Sequence, residues 1–497
     1  MGVLGQVRPW FLGLACCHVW IYCVTHRFSL SDDVSVMAVM YAALSAVLVA
    51  LFAALRRLTR LGRDGGFPAP GLGRALDLAA AACMAASSAL LVAPPAAVVA
   101  SAVLADAAVV SGSALGGVGV AWAYMRWGQL YARLDIRLAA PLVFVTMAAG
   151  SVAKAVVDLL PALPAAALLV VVPFLGALCV CRSLDGVPAA PEPARLYYGR
   201  TLGSLVRLAL GIAAYSLTVG VIQSMMLETS VIPAASVLVH HGSEVLLGLG
   251  MAVWVTSLGR GLNFCRTWRI ILVLMGTALI FQQHIGADEA TYLLSLIRTA
   301  QTFLIVFLFL GLADVARHSP YNPMAVFSLG WCAYTLPFMA GKLAGDWLLA
   351  ATPDAGFVSS VILWVLVAVM LFVLDEGSVG NRLIFTELAD GGEDDTLASR
   401  VASVQRELND HAASSGQAGR GADVLALRCE AVAARYGLTP REQEILSLLV
   451  RGRSKAHIAE AFLISENTVR GHVKHIYAKL EVHGKQELLD KVDAIEA

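Results

Sequence analysis

Two stretches of the chain carry side chains whose type and spacing could do chemistry. In SENTVRGHVKHIYAKL, residues 465–480, the apolar residues Val469, Val473, Ile476, Tyr477 and Leu480 recur at i, i+4, i+7, i+8 and i+11, which places them along one side of a helix. The opposite side then presents Thr468, Arg470, Gly471, His472, Lys474, His475 and Lys479. The single acid, Glu466, stays in the first turn, where the helix dipole favours it. Lys474 follows Arg470 by one turn, so both point the same way, and Gly471 between them would let a backbone lie close. A short helix this basic on its outer face suits a phosphate-lined groove. In VLVHHGSEVLLGLG, residues 237–250, His240, His241 and Glu244 stand one turn apart inside an apolar run. There an imidazole and a carboxylate could share a proton or grip a polar ligand.

The elements that must hold the basic strip are legible around it. Thr439 is an N-cap, Pro440 takes the first helical position and Glu442 the third, which completes a capping box. Ile445, Leu446 and Leu449 then repeat at helical spacing up to Gly452. Ser454 opens a second helix with Ile458, Ala459 and Phe462 as its stripe, Leu463 and Ile464 make a turn, and Ser465 caps the third. A gap this short between the last two helices is what a helix-turn-helix needs to push its final helix into DNA.

LTPRE at 438–442, the Ile458–Ala459 pair, and ISENTV followed by RGHVKHIYAKL at 464–480 closely resemble the DNA-binding domain of LuxR-type regulators, shared with many response-regulator output domains. The resemblance implies that the third helix enters the major groove, with Arg470, Gly471 and Lys474 reading bases and Thr468, His472 and Lys479 on phosphates. Ser454, Lys455, Ser465, Val469 and His475 complete the expected DNA-contacting set. A fourth helix from about Lys485 to Ile495, with Leu488, Leu489 and Val492 on one side, would help form a homodimer on DNA. Two positions depart from the family pattern, His457 in place of an acid and Glu481 in place of a small residue. Neither lies on the reading face. The segment is not basic overall, because Glu430, Glu444, Glu460, Glu487 and Asp490 offset its cations. Affinity must come from where the charge sits, and binding should be sensitive to salt.

The rest of the chain is of another kind. With 58% hydrophobic and 14% charged residues among 497, and a mean hydropathy of +0.73, most of it belongs in a bilayer. A helical span needs about 20 apolar residues. Candidate spans run 10–25, 34–55, 75–92, 97–123, 138–160 and 165–180, then, after a polar Pro-containing connection, 202–226, 235–258, 268–283, 291–312, 324–349 and 357–374. The expected architecture is all-α: a polytopic transmembrane bundle of six plus six spans, followed by a soluble four-helix LuxR-type domain. Its bounds are 1–376 for the bundle (halves 10–182 and 201–376), 377–421 for a linker rich in Ser, Gly and Ala, and 422–497 for the DNA-binding domain.

Loop charge gives an independent reading of topology. Arginines gather in every second connection: Arg8 before the first span, Arg56, Arg57, Arg60, Arg63 and Arg74 after the second, and Arg126, Arg133 and Arg137 after the fourth. Arg182, Arg195 and Arg200 follow the sixth, Arg260, Arg266 and Arg269 the eighth, Arg317 the tenth and Arg382 the twelfth. The pattern places both termini in the cytoplasm of a multi-pass cell-membrane protein. No cleavable signal is evident, and nothing reads as a receiver domain. The two-halved arrangement resembles the major facilitator superfamily of transporters in architecture, which does not by itself carry over transport.

A charge in mid-span costs roughly 2.5–3.5 kcal/mol on insertion scales, so each calls for a reason. Besides His240, His241 and Glu244, the candidates for a ligand site are Arg298 with Gln301 and Asp106. Lys154 with Asp158, and Lys342 with Asp346, read as ion pairs within one helix. The glycine run Ser111–Gly119 reads as close helix packing, since it lacks a phosphate loop's Lys-Ser/Thr ending. Eight of the nine cysteines lie in or beside apolar spans without metal spacing. No catalytic set assembles, and neither a metal nor a cofactor is expected. The expected partners are double-stranded DNA, the lipid bilayer, a small-molecule ligand and RNA polymerase. The sequence thus reads as a one-component, membrane-embedded transcription regulator that senses a small molecule; the alternative is a facilitator-like transporter with a regulatory DNA-binding tail.

Overall fold

In lipid every backbone N–H and C=O must be satisfied within its own segment, which leaves the apolar runs of this chain only the helix. The computed structural model describes residues 8–26, 35–60, 67–92, 101–187, 200–227, 234–257, 264–281, 287–319, 321–351, 358, 360–365, 367, 432–433, 436–450, 466–480, 482, 487–488 and 491–492. The chain divides into two compact units, Met1–Leu397 and Ala398–Ala497.

In the first unit a 3-10 turn, Pro9–Gly13, leads into eleven described helices. They are α1 (Leu14–His26), α2 (Val36–Arg60), α3 (Pro70–Val92), α4 (Ala102–Tyr131), α5 (Ile136–Leu159), α6 (Ala162–Gly186), α7 (Arg200–Leu227), α8 (Ala234–Ser257), α9 (Phe264–Phe281), α10 (Ala287–Arg317) and α11 (Pro323–Ala351). Each falls on one of the first eleven expected spans. Of the twelfth, residues 358, 360–365 and 367 are described, and all are helical. Among the described residues eight helices are long and apolar enough to cross a membrane, while Pro9–Thr25 and Ala209–Ser224 are shorter apolar stretches. Large apolar side chains point outward, Val103 at 77%, Leu246 at 76% and Trp347 at 70% exposure, the reverse of a water-soluble bundle.

Pairing of the helices repeats with a period of six. Within the halves, α1 packs on α5 as α7 does on α11, α2 on α4 as α8 on α10, and α3 on α4 as α9 on α10. Between the halves, α2 meets α11 and α8 meets α5, α4 meets α11 and α10 meets α5, while the α4/α10 contact maps onto itself. This is the contact pattern of two similar halves related by a pseudo-two-fold axis.

Small residues set how closely these helices approach. On α4, a Cβ at Gly117 would overlap the Met40 carbonyl of α2 and one at Gly116 would lie 2.8 Å from Ser87 Oγ of α3, so the glycine run does serve packing. On α7 and α11, Gly220 and Ser224 face Gly341 and Gly345: a Cβ at Gly341 would collide with the Leu217 carbonyl, and one at Gly220 with that of Phe338. Ser224 Oγ closes the crossing with a 2.9 Å bond to the Lys342 carbonyl.

One expected boundary is corrected. The fourth helix does not end near Ala123 but continues to Tyr131. Arg126 is therefore not a loop arginine: it is buried, its Nε 2.8 Å from Asp77 Oδ1 of α3 and its Nη1 2.6 Å from Gln129 Oε1. The partner that neutralises it lies 49 residues upstream, which is why the local run could not reveal it. Loop charge at this connection rests on Arg133 and Arg137.

The second unit is built on α12 (Pro440–Val450) and α13 (Glu466–Leu480), with residues 432–433, 436, 487–488 and 491–492 also helical. Ile445, Leu446 and Leu449 of α12 meet Val473, Ile476 and Leu480 of α13, and Val432, Val482, Leu488 and Val492 close this core. The expected second helix at 454–462 lies outside the described residues.

Overpacking a close crossing costs about 1–3 kcal/mol. Gly341→Val is expected to lower the melting temperature of the full chain in detergent and to give more than Gly242→Val, whose Cβ would meet nothing within 4 Å. Equal shifts for the two variants, read by intrinsic fluorescence, would show that the α7/α11 crossing is not tight.

Candidate functional site

The basic strip in the second unit is positioned by the capping box at the start of α12. Thr439 N–H donates to Glu442 Oε2 at 2.8 Å, and Glu442 N–H donates to Thr439 Oγ1 at 3.3 Å. Gly437, at φ 62°, makes the left-handed turn that leads into it. The same carboxylate receives Lys479 Nζ at 2.7 Å, and that ammonium also reaches the Gly437 carbonyl at 3.0 Å. Burial alone would raise the pKa of Glu442. The Lys479 ammonium and the two Thr439 donors outweigh it and hold the carboxyl down to about 2. At the far end of α13, Lys491 Nζ caps the Leu480 carbonyl at 2.5 Å and sits 5.2 Å from the Tyr436 ring centroid.

On α13 itself Gly471, Lys474 and His475 are exposed, His472 is half-buried, and Val473, Ile476 and Leu480 face the core. Thr468, Val469 and Arg470 lie on the same helix, while Ser454, Lys455, Ser465 and Leu489 lie outside the described residues. Two of the expected residues also have contacts within the unit. The Lys479 ammonium is engaged by Glu442 and the Gly437 carbonyl, and so ties α13 to α12. Leu488 and Val492 are fully buried in the domain's own core. A domain this small uses its fourth apolar stripe to close that core.

A second site lies in the bundle, where α1, α5, α8 and α10 converge. His240 and His241 are buried and Glu244 has no solvent exposure at all. Lys154 and Asp158 of α5 do not pair with each other as their spacing suggests. One turn apart on one face, both reach across to α8: Lys154 Nζ lies 2.5 Å from Glu244 Oε2, and Asp158 Oδ2 lies 3.1 Å from His241 Nε2. Ser151 Oγ donates to the same Glu244 oxygen at 2.6 Å. From α10, Thr299 Oγ1 stands 3.1 Å from His240 Nδ1. From α1, the Tyr22 ring lies edge-on to His241 with centroids 5.2 Å apart, and Lys154 Nζ sits 5.0 Å from its centroid.

The other ligand candidates stand differently. Arg298 is half-buried on α10 beside Thr299, and its Nε has no hydrogen-bond partner among the described residues. Gln301, one turn on, is half-buried. Asp106 is half-buried in the first turns of α4 rather than deep in the span. Lys342 and Asp346 do pair within α11, at 3.0 Å. Ser151 and Thr299 were invisible to sequence reasoning, since a hydroxyl in an apolar helix usually bonds its own backbone.

Residues 437–492 match the family GerE, described as "Bacterial regulatory proteins, luxR family". The spore germination protein GerE of Bacillus subtilis (strain 168) is 42% identical over 50 residues, 10% of this chain and 68% of that protein. The uncharacterized transcriptional regulatory protein YhcZ of the same strain is 49% identical over 47 residues, 10% of this chain and 22% of that protein. The uncharacterized response regulatory protein YgeK of Escherichia coli (strain K12) is 38% identical over 71 residues, 14% of this chain and 48% of that protein. The chain thus spans less than half the length of the latter two relatives, and all three likenesses are short beside the membrane-type bundle that precedes them.

The Glu442 carboxylate titrates lower folded than unfolded, so its contribution is fully present above its ordinary value of 4.5 and fades as pH falls towards 2. Glu442→Gln is expected to destabilise the second unit by about 1 kcal/mol at pH 7, and by much less at pH 2. Pulse proteolysis of the full chain in urea, followed on a C-terminal tag, measures both; a gap unchanged across this range would mean the carboxylate charge does not matter.

Proposed function

We propose, since this chain belongs by its C-terminal domain to the luxR family of bacterial regulatory proteins, that it is a membrane-embedded one-component transcription regulator. The bundle, residues 1–376, senses a small molecule; residues 377–421 link it to a DNA-binding domain at 422–497. Both termini lie in the cytoplasm of a multi-pass protein of the cell membrane. The α13 helix enters the major groove as part of a homodimer on paired half-sites. Arg470 and Lys474 reach base edges with Gly471 at the closest approach, while Thr468, His472 and Lys479 contact phosphates.

The observation that carries this reading is the exposed surface of α13, where Gly471, Lys474 and His475 stand on the side opposite the buried Val473 and Ile476. A helix so divided is fixed by its apolar face and free to dock with its basic one. In the bundle, the charges gathered on Glu244 supply a polar interior that a small molecule can address, and ligand affinity that differs between two states of the bundle would shift their populations. The catalytic machinery of an enzyme is no part of this reading.

A second reading is favoured by the pseudo-two-fold pairing of α1–α5 with α7–α11, which is the repeat logic of transporters. In that case the tail regulates a carrier, and reconstituted vesicles would show substrate flux lost in Glu244→Gln. Saturable ligand binding without flux favours the sensor.

The full chain in nanodiscs is expected to bind its operator in a salt-dependent manner. Lys474→Ala should weaken specific binding by about 1–3 kcal/mol, and loss of each phosphate contact should reduce the salt slope by about one. If Arg470→Ala and Lys474→Ala together left operator binding and its sequence preference unchanged, or if topology mapping placed His472 outside the cytoplasm, the regulatory reading would fail.

A further inference from the structure

The groups around Glu244 are arranged in a way that neither an internal ion pair nor a proton relay requires. Each of the three α8 side chains has one polar atom anchored outward. His241 gives Nε2 to Asp158 at 3.1 Å, His240 gives Nδ1 to Thr299 at 3.1 Å, and Glu244 Oε2 accepts from Ser151 at 2.6 Å and Lys154 at 2.5 Å. Each then has its other polar atom turned inward. His240 Nε2 faces Glu244 Oε1 at 3.6 Å and His241 Nδ1 lies 3.7 Å from the other oxygen, Oε2, both too long for hydrogen bonds. Glu244 Oε1 and His241 Nδ1 have no hydrogen-bond partner among the described residues, although both are buried. A buried carboxylate oxygen and a buried imidazole nitrogen that each lack a hydrogen-bond partner are costly unless something cationic is shared between them.

We propose that His240 Nε2, His241 Nδ1 and Glu244 Oε1 form a three-donor site for a first-row divalent transition-metal ion of the zinc type. One donor atom from each residue lies within 4.8 Å of the other two. Tetrahedral zinc with bonds of about 2.1 Å holds its donors about 3.4 Å apart, so the 3.6 Å between His240 Nε2 and Glu244 Oε1 closes by a small side-chain rotation. The outer contacts are those that such sites use: a carboxylate on one imidazole and a hydroxyl on the other, fixing which nitrogen faces the ion, and a hydrogen-bonded ligating carboxylate. Two imidazoles and one carboxylate select zinc, cobalt or nickel over magnesium and calcium, which take oxygen ligands. Three protein donors leave a position for a further ligand.

Like charge opposes a cation here: Arg298 of α10 lies near His240, and Lys154 is bonded to a proposed ligand itself. Its ammonium holds the outer oxygen of Glu244 and adds a like charge near the ion, which lowers affinity without removing a donor. This distinguishes a metal site from an ion-pair latch. In a latch Lys154 is essential, whereas for a metal it is a brake.

The test uses the purified full chain in detergent, with cobalt(II) as the probe and no DNA present, so its outcome does not depend on the regulatory reading. The expected result is one cobalt per chain with the strong visible d–d absorption of a low-coordinate site, displaced by zinc and not by magnesium. His240→Gln and Glu244→Gln should abolish the absorption. Thr299→Val, which removes only an outer anchor, should weaken binding ~10–100-fold. Lys154→Met should bind cobalt at least as tightly as the parent, which guards against loss through misfolding alone. Cobalt uptake that is substoichiometric in the parent, or equal in parent and Glu244→Gln, overturns the proposal, as does loss of uptake in Lys154→Met when that variant keeps the parent's melting temperature.

Discussion

Glu244 is a carboxylate with no exposure to solvent, set in the middle of an apolar helix, and the organisation of the bundle answers the cost of placing it there. Taking such a charge out of water costs several kcal/mol even after relaxation, and only close partners and hydrogen bonds offset it. Those partners come from α5, on the other half of the bundle, in Ser151 and Lys154. Removing either charge alone would leave its mate buried and uncompensated. The α5/α8 seam is therefore specified by electrostatics as well as by shape, and the histidines on either side of Glu244 are held in register by the same seam.

The equivalent seam under the pseudo-two-fold is built from other materials. Where α2 meets α11, Ser45 donates to Thr335 at 2.9 Å, and the Tyr41 and Phe338 rings pack with centroids 5.0 Å apart. A neutral hydroxyl pair and an aromatic contact are worth about 1 kcal/mol each, whereas breaking one side of a buried ion pair costs about 3–5 kcal/mol. The backbone arrangement repeats and the chemistry does not. Close packing is a matter of small residues and can be duplicated between halves, but a site needs particular side chains at one place.

How much of this was legible in the sequence follows from the range of each interaction. Thr439 and Glu442 are three residues apart, and the capping box they predict is present bond for bond. The apolar stripe of α13 was readable for the same reason, and so were the positions of the bundle helices, because burial in lipid demands continuous apolar runs. What failed was the assignment of partners across distance. Lys154 and Asp158 looked like a pair because they are one turn apart; their true partners lie 90 and 83 residues away. Arg126 looked like a loop charge because Asp77, which buries it, sits on another helix. Lys479 and Leu488 carry the residue types of a binding surface, and within the unit one also holds two helices together while the other lies in the core.

Local and distant specification are divided between the two units in a way that suits the roles proposed for them. The basic strip of α13 has to be the same rigid shape whenever it meets DNA, and it is fixed by contacts within the unit: the box at Thr439, the tie from Lys479 to Glu442 and the cap from Lys491 to the end of the helix. None of these asks anything of the bundle. The polar centre of the bundle is assembled from four helices drawn from both halves, so it exists only while those halves stand in one mutual arrangement. A site with that property is sensitive to conformation by construction, because any motion of α8 against α5 separates Glu244 from Lys154 and His241 from Asp158 together. On the proposed reading, sensing and DNA reading call for opposite designs, a site that can be undone and a surface that cannot, and the distribution of long-range and short-range contacts along this chain supplies one of each.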